Sequence, residues 1–182
     1  MNIVVYLGAN MGKEGWLSEE VQKLGQWIGS SRHTLIYGGS KTGLMGKIAD
    51  SVLTSHGKVI GVEPKMFIES EFQHEGITEL IITEDMPERK AKMIELGDAF
   101  IAFPGGTGTL EEISEVASLS ALELSDAPCI FYNLRGYYDE IKAFFQKMVD
   151  MGLSNCHRQR NIFFAESIEE IDKILNRSVN ND

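Results

Sequence analysis

Short, unbroken apolar runs alternate with segments of helical spacing along the whole chain, and glycine punctuates the changes. The runs are Ile3 to Leu7, Thr34 to Tyr37, Val59 to Val62, Leu80 to Thr83, Ala99 to Phe103, Cys129 to Tyr132 and Ile162 to Phe164. Being continuous rather than alternating, they predict strands buried on both faces. Between them, Leu17, Val21, Leu24 and Ile28 share one helical face, as do Leu44, Ile48 and Val52 with Met45, Ala49 and Leu53 beside them. Gly57 is the candidate C-cap of that second helix. Leu110, Ile113, Ala117, Ala121 and Leu124 make a third stripe, and Ile141, Phe144, Phe145 and Met148 a fourth. A last helix spans about Ile168 to Leu175, with a frayed tail expected over 177–182. Strand and helix alternation predicts an α/β fold, a doubly wound parallel sheet with helices on both faces. Ligands of such sheets bind outside the carboxyl ends of the strands. The loops to watch are therefore Gly8 to Gly15, Gly38 to Gly43, the segment after Val62, and Pro104 to Thr109.

At 182 residues the chain fits a single domain, 1–182, with one continuous core. Its 17 basic and 27 acidic residues give a formal net charge of −10, which argues against a general nucleic-acid or anionic-membrane binder. A small anion held by a few local groups stays open. No apolar run approaches the ~20 residues of a membrane span. The start, Met1 to Tyr6, reads as a strand without a basic leader, and Cys129 and Cys156 are too few for a disulfide framework. The expected location is the cytoplasm. His33, His56, His74 and His157 lack ligand spacing, so no metal site is expected.

The sharpest local feature is Asp98-Ala-Phe-Ile-Ala-Phe-Pro-Gly-Gly-Thr-Gly-Thr-Leu-Glu-Glu112, a buried strand running through a glycine turn into a helix. Gly105, Gly106 and Gly108 let the backbone approach a ligand, and the helix start offers free N–H groups and a positive dipole end. This reads as a phosphate cradle, or as a tight strand-to-helix turn that binds nothing. A dinucleotide fingerprint would need glycine where Glu111 stands, and Ser40-Lys41-Thr42 lacks the glycine that Walker A has before its lysine. Gly38 to Gly43 is a weaker form of the same device, or a plain turn. Thr109 and Glu112 have capping-box spacing, but Glu112 reads equally well as an ionised carboxylate in the first helical turn facing a substrate.

Met86-Pro-Glu-Arg-Lys90 opens another helix, with Pro87 suited to its start and Gly97 to its end. Arg89 and Lys90 then oppose the helix dipole at a cost of roughly 0.3–1 kcal/mol each when exposed. Either they form a solvated charged face, or they concentrate positive potential for an anionic ligand.

Together these residues resemble a known family. Pro104 to Glu112 fits the signature PGGxGTxxE, Arg89-Lys90 stands at the matching distance before it, and Gly38 to Gly46 is similar to the family's earlier glycine motif. The chain resembles the LOG family of cytokinin riboside 5′-monophosphate phosphoribohydrolases, often labelled lysine decarboxylase-like. The resemblance implies a Rossmann-like homodimer that hydrolyses the N-glycosidic bond of AMP-type nucleotides, without a cofactor. It places the catalytic arginine on Arg89, the catalytic glutamate on Glu112, and the phosphate turn on Gly105, Gly106, Thr107, Gly108 and Thr109. Glu111 lies in the same substrate-binding run, and a nucleotide-site glutamate falls on Glu71, with Glu69 close by. Lys90, Gly8 and Gly39 complete the candidate binding set. Pro87 stands where the family often has histidine, and Ala9 where it often has serine, which bears on base and sugar preference. A non-catalytic nucleotide carrier is the alternative. Lysine decarboxylation would need a Schiff-base lysine, whereas Lys41 and Lys90 read better as anion partners.

Overall fold

The computed structural model describes residues 1–68 and 73–179, so Glu69, Glu71 and the tail 180–182 lie outside the described residues. The chain divides into two compact units, Met1–Asp98 and Ala99–Asp182.

The first unit runs β1 (Asn2–Tyr6), α1 (Trp16–Ser30), β2 (Thr34–Tyr37), α2 (Gly43–Thr54), β3 (Lys58–Pro64), the single turn α3 (Lys65–Ile68), β4 (Glu79–Thr83) and α4 (Met86–Leu96). Its strands lie in the order β4-β3-β2-β1 and every pair is parallel, with Val4 beside Ile36, Ile36 beside Ile60 and Val62 beside Ile81. This registry brings the loops after β1, β2 and β3 to one end of the sheet. Ile3, Val4, Leu35, Ile36, Val59 and Val62 are fully buried, as the unbroken apolar runs require. Edge strand β4 departs from that expectation, because Glu79 and Ile82 are exposed.

Helices α1 and α2 pack closely because a side chain is missing between them. A Cβ on Gly25 would stand 2.8 Å from the Ile48 carbonyl oxygen. The predicted inward faces of both helices are correct: Val21, Leu24 and Ile28, and Leu44, Ile48 and Val52, are buried. Gly57 is not the C-cap of α2, which is Ser55. His56 takes the left-handed conformation at φ 61°, and the His56 and Gly57 N–H groups donate back to Leu53 and Val52 at 3.0 and 2.9 Å. The Schellman ending expected of a glycine is thus carried by a histidine.

The second unit runs β5 (Ala99–Ala102), α5 (Thr107–Ala121), β6 (Cys129–Tyr132), a short 3₁₀ turn at Leu134–Gly136, α6 (Asp139–Asp150), β7 (Ile162–Ala165) and α7 (Ile168–Val179). Its strands pair in parallel in the order β5-β6-β7. Phe131, Phe145 and Phe164 fill the space beside β6 and β7, with the Phe131 and Phe164 rings stacked at 4.9 Å. Two expectations change here. On α5 the buried face is Thr109, Glu112, Ile113, Val116, Ala117 and Ser120, while Leu110 is 38% exposed and Leu124 lies beyond the helix. The last helix runs past Leu175 to Val179, helped by an Asn176 to Asp172 side-chain bond of 2.9 Å one turn back.

Two substitutions test how backbone sign governs this fold. Gly43 sits at φ 55°, and a Cβ there would overlap the Ala9 carbonyl oxygen, so Gly43→Ala is expected to cost more than about 2 kcal/mol in urea denaturation. His56→Gly, which relieves a left-handed residue with an exposed side chain, is expected to add about 1 kcal/mol in the same measurement.

Candidate functional site

In the first unit the residues of interest gather where β2 and β3 end and α4 begins. Asp85 caps α4, its side chain accepting the Glu88 N–H at 2.9 Å, while Glu88 reaches back to the Glu84 N–H at 2.6 Å. This reciprocal capping starts the helix although it carries Arg89 and Lys90 at its opening. Arg89 is not part of a solvated face. It is only 8% exposed, and its Nε–H donates to the Val62 carbonyl of β3 at 3.0 Å.

The Gly38-Gly39 turn closes over this arginine. A Cβ on Gly38 would stand 2.8 Å from Arg89 Nη2, so the missing side chain is the guanidinium's space. Gly39, at φ 86°, makes the same allowance for Glu63, whose Cβ and Oε2 would lie 3.1 and 3.3 Å from an added Cβ. The turn is held from the other side by Gln73 and His74: Ser40 and Gln73 form an antiparallel bridge, and the His74 N–H donates to the Gly39 carbonyl at 3.0 Å. Gly43 packs on Ala9, three residues past the end of β1 and next to Gly8. The earlier glycine motif is therefore a built corner rather than a plain turn.

Electrostatically, Glu63 is the outlier of this unit. It is 3% exposed, and its Oε2 has no hydrogen-bond partner among the described residues. Burial pushes its carboxyl above the ordinary carboxylate range, and the Arg89 charge pulls it partly back. Burial, with Glu63 and Asp50 adding, also pushes the Tyr37 hydroxyl up, which keeps it protonated.

In the second unit β5 leads through Phe103 and Pro104 into the glycine turn. The N-cap of α5 is Gly106, and the first intrahelical bond is Leu110 N–H to the Gly106 carbonyl at 3.1 Å. Thr107, Gly108 and Thr109 thus start the helix with N–H groups that have no intrahelical acceptor, and no side chain caps them. Gly106, Thr107 and Gly108 are exposed, so this end faces solvent. The capping-box reading fails, because Thr109 and Glu112 are both inside the helix. Glu112 lies in its second turn, not its first, on the inward face and 9% exposed. Glu111 is exposed beside it.

Two tyrosines fix this turn. Tyr137 donates to the Gly105 carbonyl at 2.6 Å and Tyr138 to the Phe103 carbonyl at 2.8 Å. Asn133, just after β6, holds the tyrosines in place: its Oδ1 accepts the Tyr138 N–H at 2.6 Å and its Nδ2 donates to Asp139 at 2.8 Å. Thr109 packs against Gly105 so closely that a Cβ on that glycine would come within 2.8 Å of the Thr109 Cβ.

The profile of the family described as "Possible lysine decarboxylase" matches residues 45–175. The cytokinin riboside 5′-monophosphate phosphoribohydrolase of Rhodococcoides fascians is 38% identical over 169 residues, 92% of this chain and 85% of that protein. The chain belongs to the LOG family. LOG5 of Arabidopsis thaliana, which bears the same enzyme name, is 38% identical over 163 residues, 90% of this chain and 71% of its own. Two solved structures share the LOG chain's fold. One is the molybdenum cofactor binding protein of Rippkaea orientalis, with a TM-score of 0.74, 20% identity and coverage of 98% and 96% of the two chains. The other is the Moco carrier protein of Chlamydomonas reinhardtii, with a TM-score of 0.73, 18% identity and coverage of 100% and 98%. At such identities the likeness concerns fold alone.

Three residues around the LOG motifs escape a reading of the sequence. Glu63 lies one position past an apolar run that ends at Val62, and the strand continues through it to Pro64. Its signal is an acidic residue inside a strand. Tyr137 and Tyr138 follow β6 at the sheet's ligand end, where a tyrosine pair is a cue for carbonyl bonding.

The raised Glu63 carboxyl makes a signed pH prediction. From the ordinary carboxylate range upward, the unfolded chain has released a proton that folded Glu63 still holds, so stability falls as pH rises through that window. Glu63→Gln removes this fall and is expected to gain on the wild type as pH rises. Parallel stability–pH curves for the two proteins in urea denaturation would contradict it.

Proposed function

We propose that this protein hydrolyses the N-glycosidic bond of AMP-type or N6-prenylated AMP nucleotides, releasing the free base and ribose 5-phosphate. The observation that carries the reading is the β5 to α5 junction. It has an exposed glycine turn with unbonded helix N–H groups, and a nearly buried carboxylate, Glu112, in the next turn. Chains named as phosphoribohydrolases are 38% identical to this one along most of its length.

The 5′-phosphate sits on the N–H groups of Gly105, Gly106, Thr107, Gly108 and Thr109, where the helix end favours an anion. Anchoring the phosphate sets the position of the sugar. Hydrolysis breaks the C1′–N bond with its electron pair leaving on the base, which takes up a proton, while water supplies the hydroxyl at C1′. Positive charge develops at the sugar carbon as the bond opens, and the fixed Glu112 carboxylate stabilises it. Arg89 binds sugar hydroxyls or phosphate, with Lys90 adding positive potential. Glu111 and Glu71 contribute to the nucleotide site, with Gly8 and Gly39 in the turns that border it. The same proposal extends to a homodimer acting in the cytoplasm. The exposure of Leu122, Leu124, Met151 and Leu153 in the second unit is in keeping with a covered apolar surface in the dimer.

The test follows free base by chromatography with AMP, prenyl-AMP and other nucleoside monophosphates. Glu112→Gln and Arg89→Ala are each expected to lower kcat/KM by at least about 10²-fold with the fold intact. Unchanged rates in both variants would refute the residue roles. Nucleotide binding by calorimetry with no turnover of any substrate would instead make the protein a carrier.

A further inference from the structure

One N–H of the glycine turn is not oriented by helix α5. The Gly106 carbonyl accepts the Leu110 N–H at 3.1 Å, so the helix itself sets the peptide that joins Gly106 to Thr107. The peptide before it, between Gly105 and Gly106, precedes the first helical residue, Thr107. With no Cβ on either side, little in the local backbone favours one orientation of that peptide over the flipped one. Its carbonyl, however, accepts the Tyr137 hydroxyl at 2.6 Å. In a trans peptide the C=O and N–H point in opposite directions. The bond that holds the Gly105 carbonyl therefore turns the Gly106 N–H away from Tyr137. Gly106 is exposed, and its N–H meets no acceptor among the described residues.

Tyr137 reaches the turn through a strained segment. Arg135 takes the left-handed conformation at φ 54° and Gly136 follows at φ 76°, so two successive left-handed residues redirect the chain between β6 and α6. A Cβ on Gly136 would lie 2.5 Å from Asp139 Oδ2, which explains the glycine. Arg135 carries its Cβ in that conformation at a steric cost. The Gly136 and Tyr137 N–H groups bond back to the Asn133 and Leu134 carbonyls at 3.3 and 3.1 Å and keep the segment in this form. Tyr137 itself is 49% exposed, so its ring adds little to the core. Backbone strain kept for so small a packing gain points to function.

We propose that Tyr137 is a positioning residue for the phosphate: its hydroxyl selects the orientation of the Gly105–Gly106 peptide in which the Gly106 N–H joins those of Thr107 and Gly108 on the anion. This rests on the reading of the β5 to α5 turn as the phosphate site. Tyr137 does not itself touch the substrate. Without its hydroxyl the two glycines let the peptide turn over, and the flipped peptide presents an acceptor, the Gly105 carbonyl, where the anion needs a donor.

Tyr137→Phe keeps the ring and removes the hydroxyl at an exposed position. Wild type and variant are compared by urea denaturation, by calorimetric titration with AMP, and by the amide NMR shifts of the turn in the same titration. The Gly106 resonance is identified by its disappearance in Gly106→Ala, where the added Cβ meets nothing within 4 Å. Stability is expected to stay nearly unchanged, while the Kd for AMP rises about tenfold, the share of one hydrogen bond to a charged group. AMP is expected to move the Gly106 amide downfield in the wild type and not in the variant. An unchanged Kd would overturn the proposal. So would a wild-type Gly106 amide that AMP leaves in place while those of Thr107 and Gly108 respond. Lower stability and weaker binding with the Gly106 response intact would make Tyr137 a purely structural residue, and would overturn it too. If AMP moves no amide of the turn in the wild type, the phosphate reading fails and this proposal with it. If AMP binds as expected but is never turned over, only the enzyme reading fails.

Discussion

Where a parallel strand outruns its neighbour, or runs on into a turn, its carbonyl groups leave the ladder and need donors from elsewhere. Leaving one unmet costs roughly 1–3 kcal/mol. Val62 lies one residue past the last β2–β3 pair, and Phe103 and Gly105 lie past the end of β5. In this chain the donors are side chains of the proposed site or its immediate supports. Arg89 serves the Val62 carbonyl, Tyr138 the Phe103 carbonyl and Tyr137 the Gly105 carbonyl. The bonds that finish the sheet are therefore the bonds that set the arginine and the glycine turn. A requirement of folding becomes a means of holding groups ready for chemistry, because a donor that satisfies a buried carbonyl loses its freedom to move.

The same economy explains where the structure accepts instability. Thr109 and Glu112 are polar residues on the inward face of α5, and Glu63 is an acid inside a strand. Each position would pack better with an apolar side chain. The cost is met by the surrounding core: Ile113, Val116 and Ala117 on α5, and Val59 and Val62 on β3, are all buried. The glycines divide along the same line. Gly25 lets two helices approach, whereas Gly38 and Gly39 clear space for Arg89 and Glu63, and Gly105 for Thr109.

Much of this is written in the sequence in a direct physical sense. Continuous apolar runs mark the strands because a parallel sheet buries both faces, and the glycine turn before α5 marks the end proposed to hold the phosphate. The face of α5 is misread from apolar spacing for an instructive reason. Its inward positions include Thr109, Glu112 and Ser120, so the residues that equip the site hide the side on which it lies, and exposed Leu110 takes their place in the pattern. Glu63 is hidden likewise, because an apolar criterion ends β3 at Val62. The left-handed residues Arg32, His56 and Glu123, at φ 59°, 61° and 59°, carry helix endings that glycine would signal, and nothing local announces them. The partnership of Arg89 with the Val62 carbonyl joins residues 27 apart in sequence and is set by tertiary packing alone.

The central claim is that a LOG-family chain with this anion-binding turn and buried carboxylate breaks a glycosidic bond rather than merely holding a nucleotide. Phosphorus NMR of AMP or prenyl-AMP incubated with the protein tests it most directly. The account predicts that the nucleotide resonance is replaced by that of ribose 5-phosphate, in step with free base. Persistence of the nucleotide resonance, shifted or broadened by binding but never converted across the monophosphates tried, would contradict it.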